Sequence, residues 1–292
     1  MSKKGIIGVQ MSSIAPNKMP KFDAYESMAR LADIGYKCIE ISQVPMSEEN
    51  VKGFRRAIDE LGFNVAAISA VTGPSPYFPG SDMSNPEDMK QMIANAKALD
   101  CDMFRIGAMP MDARFSLQAA IDFAKQADDF ACQLKEHGID LYYHNHHFEF
   151  ARHNGKFLMD IIKENTKYLG FELDIHWIHR GGMDPVKFIN QYAGRIRLLH
   201  LKDYRIATME MPEGDINTPE GMKKAYAAIN DIVQFAEVGE GTLDIPACIE
   251  AGLAGGSEYF LVEQDMSYGR DPFDCLKTSY DNLVKMGYGD WF

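Results

Sequence analysis

The stretch LYYHNHHFEF, residues 141–150, places His144, His146 and His147 within four positions and Glu149 just beyond them, in a chain with eight histidines in all. Imidazole near neutral pH can accept a proton or ligate a divalent cation. Three later stretches also set polar residues two apart: Asp174 and His176 in ELDIHW, His200 and Lys202 in HLKD, Glu263 and Asp265 in VEQD. On a strand, residues two apart share a side. Ionisable groups facing a barrel interior cost several kcal/mol each unless they find a partner. Four such pairs at four strand ends therefore point to one shared partner, a divalent cation. Imidazole with carboxylate suits Mn²⁺, Zn²⁺, Co²⁺ or Fe²⁺ better than Ca²⁺. Taken singly, each histidine reads better as a satisfied core residue and Asp174 as a cap; their joint occurrence favours the metal.

The elements that would hold these residues alternate. Strands are predicted at 5–11, 37–42, 64–71, 103–109, 140–146, 168–177, 195–204 and 258–265. Helical patterns fall at 22–35, 48–62, 85–100, 116–138, 156–165, 184–194, 218–229, 245–256 and 273–287, with a Pro/Gly/Ser-rich loop at 73–84. Regular β–α alternation implies a parallel sheet. Eight units in 292 residues predict one α/β domain over 1–292, a (β/α)8 TIM barrel whose site lies at the C-terminal ends of the strands. No GxGxxG follows the first strand, which disfavours a doubly wound sheet.

Composition narrows the class. A net charge of −12 disfavours a nucleic-acid partner. The scattered cysteines (Cys38, Cys101, Cys132, Cys248 and Cys275) read as free thiols in a reducing compartment. The N-terminal apolar run is too short for a signal peptide, and no stretch is long enough to span a bilayer. The expectation is a cytoplasmic protein without membrane or nucleic-acid partners; a homo-oligomer stays open.

Through YYHNHHFEF, ELDIHW, HLKD and VEQD, supported by GYKCIEI (35–41) and VGEGTLDI (238–245), the chain resembles the xylose-isomerase-like superfamily of sugar phosphate isomerases and epimerases. That family usually holds one divalent metal by Glu, Asp, His and Glu from strands five to eight. The resemblance implies Asp174, His200 and Glu263 as ligands, with His144 in the place of the first glutamate and His146 or Glu149 as alternatives there. Mn²⁺ ranks first, ahead of Zn²⁺, Co²⁺, Fe²⁺ and Mg²⁺. It implies an isomerase or epimerase that abstracts an α-proton from a keto-sugar or related polyol ketone through an enediolate. The histidine on strand five departs from the two-glutamate pattern of the epimerases. That departure raises the alternative of a lyase, either a dehydratase or an enzyme of β-elimination on 3-keto-glycosides. A nuclease resembling the apurinic-site endonucleases ranks last, for want of ligands for three metals.

His146 is the first choice of base, with Glu263 as the alternative, and Lys202 would steady an oxyanion or leaving hydroxyl unless it pairs with Asp203 or another acid. His176, Glu149, Glu40, Arg105 and Glu240 are candidate substrate contacts; Glu40 and Arg105 could instead form one ion pair. Trp177, Tyr142 and Tyr143 could stack on a sugar or belong to the core. His147 has the opposite parity and should face helices or solvent. No phosphate-binding loop is present, so a phosphorylated substrate is not implied by the residues.

Overall fold

The computed structural model describes residues 4–19, 21–75, 78–209, 213–230 and 232–292. Eight parallel strands close a barrel: β1 Ile6–Gln10, β2 Cys38–Ile41, β3 Asn64–Ala70, β4 Met103–Ile106, β5 Asp140–His144, β6 Gly170–Asp174, β7 Ile196–Leu201 and β8 Tyr259–Val262. Neighbours in sequence are neighbours in the sheet, and β8 pairs with β1 to close it. This is the single (β/α)8 barrel that the alternation implied.

The helices are built from ordinary local signals. Asn85 caps Pro86–Ala98 with proline at its first position, Ser47 caps Glu48–Leu61, and Gly62 closes that helix in the left-handed conformation. Their apolar faces pack on the outer faces of the strands in one continuous core. Inside the barrel the side chains form layers. The lower layer is apolar: Cys38, Ala67, Met103, Tyr142, Leu198 and Leu261. Gly170 completes it, because a Cβ there would fall 2.4 Å from the Tyr142 ring. One strand step higher, the inward positions turn ionic.

The predicted strands ran too long at this upper end, and the contacts that follow β5, β6 and β7 show where they stop. Strand β6 stops at Asp174, not 177, because Asp174 Oδ1 accepts the Trp177 N–H at 3.0 Å and starts the helix Ile175–Arg180. His176 is therefore helical. Strand β5 stops at His144; Asn145 Oδ1 accepts the Asp174 N–H at 3.0 Å, and the His146 N–H goes to a side chain. Strand β7 ends at Leu201, after which Asp203–Ile206 pairs antiparallel with Val233–Ala236. The excursion between these two strands carries the helix Pro219–Asn230. Periodicity also missed the short helix Met111–Phe115 and the two-residue strands Arg152–His153 and Lys156–Phe157. Residues 76 and 77 of the predicted loop lie outside the described residues. No helix among the described residues is long and apolar enough to cross a membrane.

Candidate active site

The ionic layer spans most of the barrel. Arg105 on β4 reaches Glu40 on β2 (Nε–Oε1 2.7 Å) and Glu172 on β6 (Nε–Oε2 3.1 Å), so the Glu40–Arg105 ion pair is formed. His200 on β7 stands between two groups of acids. Its Nε2 lies 3.1 Å from Glu40 and 3.2 Å from Glu172; its Nδ1 lies 2.8 Å from Glu263 and 3.9 Å from Asp174. Lys202 follows on the same side, with Nζ 2.8 Å from Glu263, 3.3 Å from Asp174 and 3.0 Å from Asp265. Ser12 donates to Glu263 Oε1 at 3.0 Å.

His144, Asp174, His200 and Glu263 each offer one ligand atom, and these four atoms lie within 4.8 Å of one another. All four residues are buried. Asp174 divides its oxygens: Oδ1 caps the helix, while Oδ2 is sealed from solvent without a hydrogen bond. His144 lines a cavity, but its Nδ1 is sealed beside Glu172 at 3.5 Å, so Nε2 is the ring nitrogen offered to the cavity. Two imidazole nitrogens and two carboxylate oxygens suit a borderline divalent cation. The charge balance fits as well. Glu40, Glu172, Asp174 and Glu263, with half-buried Asp265, outnumber the cations Arg105, Lys202 and the His200 imidazolium. A buried excess of negative charge is stabilised by a further cation.

Protonation follows from these contacts. Burial disfavours charge on His200, but Glu172, Glu40 and Glu263 outweigh it and hold the imidazolium well above its usual range. Burial raises Glu263, yet Lys202 and His200 bring it well below a normal carboxylate. Asp174 goes the other way, to about 6, because burial outweighs Lys202. Burial and then the neighbouring Glu40 charge push Glu172 to about 7, while Arg105 and His200 overcome burial at Glu40 and leave it at about 2. His144 falls well below its usual value through burial and the charges of His200 and Arg105. His146 falls to about 3, through burial and then Lys202.

The cavity, of about 700 Å³, opens above this layer. Arg105, Arg114, His144, His146, Lys202, Glu263 and Asp265 form its ionisable wall, and Val71, Pro74, Phe78, Met109 and Met111 lie among its apolar lining. The other candidates stand elsewhere. Glu149 is fully buried: Oε1 accepts from Tyr143 Oη at 2.5 Å and Oε2 from the His146 N–H at 2.8 Å, so both oxygens are engaged within the protein. Tyr143 in turn accepts the Met109 N–H at 3.2 Å. Glu40 is sealed beneath the cavity in its ion pairs. His176 is 1% exposed, with both ring nitrogens unpartnered, against Trp177, Tyr204 and Phe235. Glu240 is exposed and accepts from Asn282 Nδ2 at 2.9 Å. Tyr142 and Tyr143 are core residues, and His147 is exposed. Lys202 pairs with Glu263, Asp265 and Asp174 rather than with Asp203.

Asp203 has a separate task. Its Oδ1 accepts the N–H groups of Tyr204, Thr242 and Leu243, and its Oδ2 those of Gly239 and Gly241, which folds the VGEGTLD segment around it. A Cβ on Gly241 would meet Asp203 Oδ1 at 2.1 Å. Sequence reasoning missed this role and missed Glu172. The signal for Glu172 was available: it precedes Asp174 by two residues on the same strand and so faces inward.

A xylose isomerase-like TIM-barrel family model matches residues 28–272. The inosose dehydratase of Clostridium perfringens is 29% identical over 113 residues, which is 38% of this chain and 35% of that protein, so the likeness spans about a third of the relative's length. Among solved structures, a sugar phosphate isomerase/epimerase from Parabacteroides distasonis ATCC 8503 has a TM-score of 0.73 at 20% identity, covering 97% of this chain and 99% of the other. A probable 3-DHS dehydratase from Bacillus anthracis has a TM-score of 0.65 at 15% identity, covering 96% and 98%. At these identities the structural likeness carries the fold, not the reaction.

Proposed function

The chain belongs to the xylose isomerase-like TIM-barrel family, and from that premise we propose that it is a divalent-metal-dependent enzyme that abstracts an α-proton from a keto-sugar or polyol ketone. The supporting observation is the convergence of His144, Asp174, His200 and Glu263 within 4.8 Å beside a cavity carrying further ionisable groups. These four residues would hold the metal, with Mn²⁺ the first choice. A cation bound there would polarise the substrate carbonyl and stabilise negative charge on its oxygen.

The remaining work falls to the side chains. His146 lines the cavity as a neutral imidazole with its Nδ1 sealed, so Nε2 is the atom that takes the α-proton. Burial and Lys202 disfavour its protonated form, so the proton it takes is returned to the substrate, to the neighbouring carbon or oxygen in isomerisation or to the departing hydroxyl in elimination. Lys202, held as an ammonium by Asp174, Glu263 and Asp265, faces developing negative charge on the enediolate or on a departing hydroxyl. Arg105 contributes fixed positive charge to the same wall.

The first reading is an isomerase or epimerase. Elimination is the second, and His144 favours it. With an imidazole where the epimerases carry a glutamate, Glu263 is the carboxylate left at the cavity among the four ligands, and a paired two-carboxylate exchange across the sugar lacks one member. The inosose dehydratase likeness supports the same reading. The test is to incubate Mn²⁺-loaded protein in D₂O with keto-sugars, inososes and 3-keto-glycosides and to follow each by NMR. Deuterium at the α-carbon with a rearranged sugar supports isomerisation; an unsaturated ketone or a released aglycone supports elimination. No exchange at any α-carbon sinks both.

A further inference from the structure

Glu172 is fully buried, is absent from the cavity wall, and completes a hydrogen bond through neither oxygen. Its two oxygens face two different imidazoles. Oε2 lies 3.5 Å from His144 Nδ1, and Oε1 lies 3.2 Å from His200 Nε2. The other nitrogen of each ring points the opposite way: His144 Nε2 to the cavity, and His200 Nδ1 to Glu263 and Asp174. A ligating histidine presents one nitrogen and donates the N–H of the other, and a carboxylate accepting that N–H fixes which is which.

We propose that Glu172 is the positioning residue common to both histidine ligands: it sets the tautomer of His144 and, together with Glu40, the opposite tautomer of His200. His144 is protonated on Nδ1 and ligates through Nε2; His200 is protonated on Nε2 and ligates through Nδ1. This rests on the metal reading above. One carboxylate can serve both rings because they rise from the strands flanking β6, and Glu172 sits between them. Two sealed acceptors facing two ring nitrogens also resolve what would otherwise be unsatisfied buried groups. Arg105, 3.1 Å from Oε2, holds the carboxylate in place. Glu40 provides the internal comparison. It shares the Arg105 pair and hydrogen-bonds His200 Nε2 at 3.1 Å, so the two glutamates share that ring, but no ion pair links Glu40 to His144. A role confined to neutralising Arg105 would make the two glutamates equivalent.

Two measurements test this on the full chain. In Zn²⁺-loaded wild type, two-bond ¹H–¹⁵N spectra should show His144 bound through Nε2 and His200 through Nδ1; both rings bound through the same nitrogen overturn the proposal. In a Co²⁺ titration followed by visible absorption, Glu172→Gln should weaken binding by about 10–100-fold and change the ligand-field bands, with Glu40→Gln losing less. Equal losses in the two variants, or a loss below about tenfold in Glu172→Gln, overturn it while leaving the metal site standing. A wild type that takes up neither ion overturns both this role and the metal reading beneath it. Should Glu172→Gln fail to fold, the same comparison is made with Glu172→Asp, whose shorter side chain draws the carboxylate back from both rings.

Discussion

Lys202 Nζ stands 2.8 Å from Glu263 Oε2 and 3.3 Å from Asp174 Oδ2, so one ammonium is shared by two of the carboxylates in the four-residue cluster. The lysine is 1% exposed. Replacing it with methionine leaves two carboxylates buried without that partner. Loss of one member of a buried ion pair costs about 3–5 kcal/mol. The expected outcome is a metal-free Lys202→Met protein destabilised by that order in urea, with Mn²⁺ recovering more of its stability than it adds to wild type. A Mn²⁺ increment equal in both proteins counts against the shared site.

His146 reaches the cavity but is not one of the four clustered residues. His146→Ala should therefore keep its metal content while turnover falls by about 10²–10⁴. Asp174→Ala should lose metal and turnover together, since Oδ2 is a proposed ligand and Oδ1 caps the helix Ile175–Arg180. Metal analysis beside the NMR assay reads both; a fully active His146→Ala removes the base assignment.

Glu149 titrates with a predictable sign. Burial first, opposed by the Tyr143 and His146 hydrogen bonds, raises its carboxyl from 4.5 to about 7. The folded protein then binds a proton that the unfolded chain has released between these values. Its stabilising contribution is complete below about 4.5 and fades as pH rises through about 7. Urea midpoints of wild type should fall across this window relative to Glu149→Gln, by an order of a few kcal/mol in free energy. Parallel midpoints for the two proteins would show that Glu149 does not titrate there.

Asp203 accepts five backbone N–H groups. Asp203→Ala leaves the 239–243 turn without its acceptor and should cost at least about 3 kcal/mol, since a hydrogen bond to a charged group contributes about 1.5–3 kcal/mol. Gly241→Ala should be nearly as harmful, because its methyl would overlap the same carboxylate. Urea unfolding checks both; a loss below about 1 kcal/mol in Asp203→Ala would mean that water replaces the carboxylate.

The sequence by itself determined the barrel, because β–α alternation and hydrophobic period are local properties of the chain. It also determined which strand ends carry ionisable side chains, since parity alone places His144, His200 and Glu263 on the inner face, and the same parity allowed the Glu40–Arg105 pair. Tertiary structure decided where each strand stops. Strand β6 ends at Asp174 because its own carboxylate caps a helix and Asn145, from the neighbouring strand end, takes its N–H, and that turned His176 away from the strand series. It decided the partners too. Glu149, Glu172 and Asp203 look alike as isolated acids, yet one braces the His146 loop, one faces two imidazoles and one folds a turn. Glu149 meets Tyr143 and His146 within its own segment, whereas Glu172 and Asp203 meet segments far apart in the chain, through distances that no local pattern encodes.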